Sequence, residues 1–270
     1  IMGVLNLTPD SFYKNSRKSN SENALRKCKE MLKYGATILD IGGESSRPGA
    51  QKVSENEEQE RVLLTLQKLQ QQNINAIVSL DTRNLSTMKL GYECGVNIIN
   101  DISGLDSIKK ANFIISKKLS VIIMHMQNIP ENMQENPQYS FAPIDIYNFF
   151  SKKINELLKM GINTSNIVVD PGIGFGKNKY HNLDILKNIS IFHGLGVPIL
   201  LGVSRKALIA QLTIDDFIFR GVKTRSINPS KRLSGSLVFA MHAFNNGIQI
   251  IRTHDVFETK QALTCHFSLS

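Results

Sequence analysis

Eight short apolar runs recur along this chain, and none of them alternates with polar residues. They are IMGVLN at 1–6, TILDIGG at 37–43, AIVSLD at 76–81, NIIND at 97–101, SVIIMH at 120–125, IVVDPG at 167–172, PILLGVS at 198–204 and IQIIRTHD at 248–255. A strand with one wet face alternates, whereas a strand covered on both faces need not, so such runs predict a parallel sheet under helices. The intervening segments can supply those helices. Ala24, Leu25, Cys28, Met31 and Leu32 mark a helical stripe over 21–33 that stops at Gly35, and Val62, Leu63, Leu66 and Leu69 mark another. Ile146, Phe149, Phe150, Ile154, Leu157 and Leu158 mark a third that stops at Gly161, and a further helix is expected over 232–245, before Gly247. Eight strand–helix alternations predict an α/β chain folded as one (β/α)8 TIM barrel across residues 1–270. An open doubly wound sheet is the alternative, but no run is followed by a G-x-G-x-x-G opening a helix, as a dinucleotide fold requires.

Composition narrows the function. With 41% hydrophobic residues the chain can bury a large core, and no apolar run approaches the length of a membrane span. Three scattered cysteines, Cys28, Cys94 and Cys265, have neither metal nor disulfide spacing and are expected to be small apolar helix residues in a reducing cytoplasm. The net charge is +9, but the lysines are dispersed over polar helix faces, as in KSNSENALRKCKEMLK. That pattern argues against a nucleic-acid surface and leaves a net field that favours small anions. The chain begins inside an apolar strand with no leader before it, which suggests that upstream sequence has been trimmed or that this is one segment of a longer polypeptide.

The ends of the runs carry the chemistry. They hold Asn6, Asp40 with Glu44, Asp81, Asn100 with Asp101, His125, Asp170, Ser204 with Lys206, and Arg252 with His254. In a barrel these ends form one mouth, where active sites lie. Asp81, Asn100 and Asp170 suit a flat heterocycle that presents N–H donors and a carbonyl along one edge, since a carboxylate accepts two donors at once. Asp81 could instead cap the helix after DTRNLS. Arg252 and His254 are two apart, so both should project the same way, and each can be cationic. Lys206 stands where the seventh run meets a helix start, and basic side chains there make an anion site. Alternatively, Arg252 could pair with Asp255. GIGFGK at 172–177 imitates a phosphate loop but is one residue short and lacks the Ser/Thr, so a nucleotide site is rejected. Gly172, Gly174 and Gly176 are expected to take positive φ and to let backbone approach a ligand, with Phe175 over its ring. His125 could face the mouth or the core, and Asn182 is expected to cap a helix beginning near His181.

MGVLNLTPDSF, GGESSRPGA, SLDT, NDISG, MHMQ, DPGIGFGK, GVSRK, RLSGS and RTHDVFET occur in this order. In that order and over nearly the whole chain, they resemble the dihydropteroate synthase family. The resemblance implies a TIM barrel, usually homodimeric, that joins p-aminobenzoate to 6-hydroxymethyl-7,8-dihydropterin pyrophosphate with Mg²⁺ present. It implies that Asp81, Asn100, Asp170 and Lys206 bind the pterin, and that Asp81, Asp170 and Lys206 serve catalysis. Met124, Phe175 and Arg252 would line or stack on the ring. Asn6 would be the protein ligand to Mg²⁺, with Arg252 and His254 toward the diphosphate and Ser204 among the substrate-binding residues. Phe12, Ser46, Arg47 and Pro48 fall in the two loops that shape the p-aminobenzoate pocket, where sulfonamides compete. Those loops, TPDSFYKNSRKSN and SSRPGAQKVSEN, are expected to be lids that exclude water.

This chain departs from the family pattern at particular residues. Lys14 stands where the first loop commonly has an acid, Ser46 where Thr is common, and Ala207 where many members have Ser. Ala207 offers no hydroxyl to the p-aminobenzoate carboxylate, which leaves backbone N–H groups at that helix start. The pterin-binding domain of methyltetrahydrofolate-dependent methyltransferases is the alternative of the same fold. It needs neither an anion site nor the Ser-Arg-Lys run.

Overall fold

The computed structural model describes residues 1–7, 17–45 and 53–269, apart from the side chains of residues 17–20. Strands and helices alternate through it: β1 Met2–Asn6, α1 Arg17–Lys33, β2 Ile38–Gly42, α2 Glu55–Gln71, β3 Ile77–Asp81, α3 Leu85–Glu93, β4 Ile98–Asp101, α4 Ile108–Ser116 and β5 Ser120–Met124. The order continues with α5 Ala142–Lys159, β6 Ile167–Asp170, α6 Lys179–Lys187, β7 Leu200–Gly202, α7 Ala207–Phe219, α8 Leu233–Asn245, β8 Ile250–Thr253 and α9 Val256–Phe267. All eight strands are parallel, in the order β6-β5-β4-β3-β2-β1-β8-β7. A single bridge between Val169 and Ile199, with Val169 N–H donating to Pro198 O at 3.0 Å, joins β6 to β7 and closes the ring. The predicted TIM barrel is the fold observed.

The side chains that point into the barrel and those that point out follow from the period of two along each strand. Leu39, Ile41, Leu80, Ile99, Val121, Ile123, Ile167, Val169, Leu201 and Ile251 face outward into the main core beneath the helices. Inside, Met2, Ile38, Ile98, Ile122, Val168 and Leu200, with Ile250, form a separate apolar plug at the N-terminal end. Burying each of these aliphatic chains contributes about 1.5–3 kcal/mol. Two residues beyond each plug member, on the same inner face, stand Val4, Asp40, Asn100, Met124, Asp170, Gly202 and Arg252. The plug thus sets the register in which polar side chains reach the mouth.

The helices cover the outer face as their stripes predict. α5 buries Ile146, Phe150, Ile154 and Leu157, while Phe149 and Leu158 flank that stripe and stay partly exposed. Cys28 is buried, and burial pushes its thiol up to about 12. Cys265 lies on α9, as a helix residue was expected to, and is exposed. Among the described residues, no helix is long and apolar enough to cross a membrane.

Candidate active site

Arg252 lies at the centre of the mouth. Its Nε donates to Asp40 Oδ2 at 2.7 Å, and its Nη2 reaches Asp40 Oδ2 at 2.6 Å and Asp81 Oδ2 at 2.8 Å. Asn100 Nδ2 donates to the same Asp40 oxygen at 3.3 Å. β2 and β3 therefore meet the guanidinium carried by β8, and β4 joins them through Asp40. Burial alone would lower the Arg252 pKa, but the Asp40 and Asp81 carboxylates outweigh it and the net shift is upward. Burial also pushes Asp81 up to about 7 against the pull of Arg252, with Asp40 adding repulsion. Asp81 does not cap the next helix, whose N-cap is Asn84. Nor does Arg252 pair with Asp255, which instead holds Arg205 through Nε at 2.9 Å and through Nη2.

Asp40 is the residue to which the sequence assigned no role. It is fully buried, and its Oδ1 finds no hydrogen-bond partner among the described residues. One oxygen carries the whole load of Arg252 and Asn100. Gly42 and Gly202 leave the space around this group open. A Cβ on Gly42 would stand 3.3 Å from Asp81 Cβ, and one on Gly202 would lie 3.8 Å from Arg252 Cδ and 4.0 Å from Asp170 Oδ2.

Asp170 completes the acidic wall from β6. Its Oδ1 accepts from Gly172 N–H at 2.8 Å, and burial raises its pKa against that bond and the nearby charges of Lys206, Arg252 and Lys177. Lys206 is the N-cap residue of α7, and its ammonium lies 3.9 Å from the centroid of the Phe175 ring, whose π face attracts it. Phe175 packs with Met124, Ile102 and Met133, a small apolar cluster at the rim. The inner-face register of β1 places Asn6 at the same end, half-buried.

His254 follows the last residue of β8. The Ser204 hydroxyl accepts from His254 N–H at 3.2 Å and lies 3.0 Å from Nδ1. Burial, then Arg252 and Arg205, push the His254 pKa down to about 3. The sequence counted it as a possible cation, but among these groups it is a neutral imidazole with a donor to offer.

Two other expectations change, and the open choice at His125 falls to the core. Asp101 turns outward from β4 and accepts from Ser103 and Leu105 N–H groups, so Asn100 alone faces the mouth. Asn178, not Asn182, caps α6, in a capping box with His181, while Asn182 Oδ1 accepts from Gly174 N–H at 2.7 Å. His125 points into the core, where Lys177 Nζ stands 3.1 Å from its Nδ1. The glycines at 172, 174 and 176 do take positive φ, of 71°, 80° and 58°. At Gly172 and Gly176, however, the close neighbours are protein backbone. An added Cβ would come 2.1 Å from His125 O and 2.7 Å from Gln127 N. Phe12, Ser46, Arg47, Pro48, Lys14 and most of both expected lids lie outside the described residues.

Comparison with known proteins agrees with this geometry. A family model described as pterin binding enzyme matches residues 2–254. The dihydropteroate synthase of Escherichia coli K12 is 38% identical over 263 residues, covering 97% of this chain and 89% of the relative. The Yersinia pestis dihydropteroate synthase, solved with a sulfonamide drug complex, superposes with a TM-score of 0.88 at 38% identity, covering 99% and 93% of the two chains. That of Xanthomonas albilineans, solved with 4-aminobenzoic acid, gives 0.87 at 32% identity, covering 99% and 92%.

Proposed function

This chain belongs to the pterin-binding enzyme family, among its dihydropteroate synthases, and on that premise we propose how its own residues carry out the synthase reaction of folate biosynthesis. The substrates are 6-hydroxymethyl-7,8-dihydropterin pyrophosphate and p-aminobenzoate, and the products are 7,8-dihydropteroate and pyrophosphate. One observation carries the assignment of roles. Asp81, Asn100, Asp170, Lys206 and Arg252 come from separate strands and loops and converge on one mouth, acidic at its floor and basic at its rim. The relatives favour the synthase over the methyltransferase-type alternative.

In this reading Asp81 and Asp170 accept the ring N–H groups of the pterin, Asn100 takes an edge position, and Lys206 donates to the ring carbonyl. Met124 and Phe175 form the apolar wall against the ring, and Arg252 stacks on it and reaches the diphosphate. His254, neutral and held by Ser204, offers an N–H to the diphosphate oxygens. The C–O bond to the diphosphate breaks first, and its electron pair leaves on oxygen. Asp81 and Asp170 stabilise the positive charge that develops on the pterin methylene and ring. The amine nitrogen of p-aminobenzoate then forms the new C–N bond and gives up a proton to the released pyrophosphate. Concerted displacement in a positional isotope exchange experiment would remove the dissociative order of these steps.

Mg²⁺ fits the donor set. Among the described residues no group of three His, Cys, Asp or Glu side chains could hold a metal ion. Asn6 offers one hard amide oxygen at the mouth, and Mg²⁺ is commonly held by one or two protein oxygens together with phosphate and water. When bound there, the ion supplies charge neutralisation to the diphosphate. Ser46, Arg47, Pro48 and Phe12 are assigned to the p-aminobenzoate pocket on sequence alone, and sulfonamides would compete there.

The same reading makes the chain a homodimer of the cytoplasm. Phe217, Ile218 and Phe219 on α7, Val222 beyond it and Val238 on α8 are exposed, and Phe219 is 91% so. Exposed apolar side chains of this size favour association. The direct test is pyrophosphate release by the purified chain, dependent on both substrates and abolished in Lys206→Ala or Asp170→Ala. Release without p-aminobenzoate, or none with both substrates, would overturn the reading.

A further inference from the structure

Lys177 closes the glycine-rich stretch and makes no hydrogen bond to a side chain assigned to substrate. It is 2% exposed. Its ammonium donates to Phe175 O at 2.8 Å and His125 O at 3.0 Å, and lies 3.1 Å from His125 Nδ1. Three acceptors match the three hydrogens of one ammonium. Burial pulls the Lys177 pKa down to about 7 against the attraction of Asp170; in its ammonium form it donates, so Nδ1 of His125 accepts and the ring hydrogen sits on Nε2. Burial and Lys177 push the His125 pKa down to about 2, consistent with a neutral acceptor.

A lysine buried at such cost must hold something in place. Two of its bonds end on His125, the residue after β5, and one on the loop after β6. Between these anchors the loop runs backbone against backbone, with Gly172 beside His125 and Gly176 beside Gln127. Tyr139 OH donates to Gly176 O at 2.8 Å from outside. The loop carries two groups of the site. Gly172 N–H binds Asp170 Oδ1, and the Phe175 ring seats Lys206. We propose that Lys177 is a positioning residue for the synthase reaction: it rivets the glycine loop to the end of β5 and thereby fixes Phe175, Lys206 and the Asp170 carboxylate for the pterin. This rests on the pterin-binding reading of the mouth.

The test compares wild type, Lys177→Met, Lys177→Arg and His125→Gln with both substrates varied. With Lys177→Met the KM for pterin pyrophosphate should rise about tenfold or more, the loss of buried hydrogen bonds to a charged group. The KM for p-aminobenzoate, measured at saturating pterin, should change little. Amide exchange at Gly172 should accelerate by a similar factor, a readout that needs no substrate. A cycle with Phe175→Leu separates positioning from general loosening: once Phe175 is gone, Lys177→Met should cost markedly less in kcat/KM. Should Lys177→Met fail to fold, Lys177→Arg and His125→Gln, which each keep part of the rivet, should show the same selective rise at smaller size. An unchanged pterin KM in a folded Lys177 variant, or strict additivity with Phe175→Leu, overturns the proposal. A wild-type chain that releases no pyrophosphate while Gly172 still loosens in Lys177→Met overturns the function and leaves the rivet standing.

Discussion

A fully buried carboxylate with one idle oxygen is costly, and Asp40 is tolerated because Arg252 needs it. With Asp40 and Asp81 on its two sides, the guanidinium is aimed before any substrate arrives. Asp40→Asn keeps the shape but removes the charge, so Arg252 loses an anchor deep in the barrel. The expected result is a loss of about 3–5 kcal/mol in stability, as for a broken buried pair, read by urea unfolding, with kcat/KM for pterin pyrophosphate falling as well. Asp81 makes a prediction in pH. Its folded pKa is about 7 where the ordinary value is 3.8, so between these values the native state holds a proton that the unfolded chain has released. That contribution is complete below about pH 4 and is lost as pH rises through 7. Asp81→Asn should flatten the melting temperature across this window, and a wild-type slope unchanged by the substitution would refute the assignment. The mouth residues were legible in the sequence because each follows an apolar run at a fixed offset. Asp40 was seen at a strand end but given no task. Sequence does not distinguish an inner-face carboxylate one layer down from one at the rim.

The loop after β6 shows what is settled between elements rather than within them. Its glycines announced positive φ, but the sequence did not say what they approach. That depends on the neighbouring strand, because Gly172 and Gly176 lie against the backbone of the segment after β5. Gly172→Ala would bring a methyl 2.1 Å from His125 O at a φ of 71°. It should destabilise the chain by more than about 1 kcal/mol, the usual backbone effect alone, as measured by thermal or urea unfolding. Gly161→Ala is the control: its φ is also positive, at 95°, but no atom lies within 4 Å of the added carbon. It should show the conformational cost without the clash. The start of α6 was misread for a similar reason. Both Asn178 and Asn182 are good capping residues, and the choice fell to Asn178 because His181 completes the reciprocal bond usually made by Glu or Gln.

At the scale of the molecule the number and direction of the strands followed from eight runs without alternation, while the exposed apolar residues on which the proposed dimer rests did not. Phe219 and Val238 are exposed on α7 and α8, two helices that touch where Ile209 Cγ2 lies 2.4 Å from the place of a Cβ on Gly235. Phe219→Glu with Val238→Glu should convert a sedimenting dimer of the 30.2 kDa chain to monomer, and a wild type that sediments as monomer would dismiss the dimer. The barrel, finally, is hooped unevenly. Seven of its joints are ladders, and the eighth is a lone bridge where Pro198 has no hydrogen to lend. Asp170 stands on one lip of that crack and Arg252 one stave beyond the other. Heat or denaturant should prise the cask apart there first, and the chain would lose its hold on the pterin while most of the wall still stood.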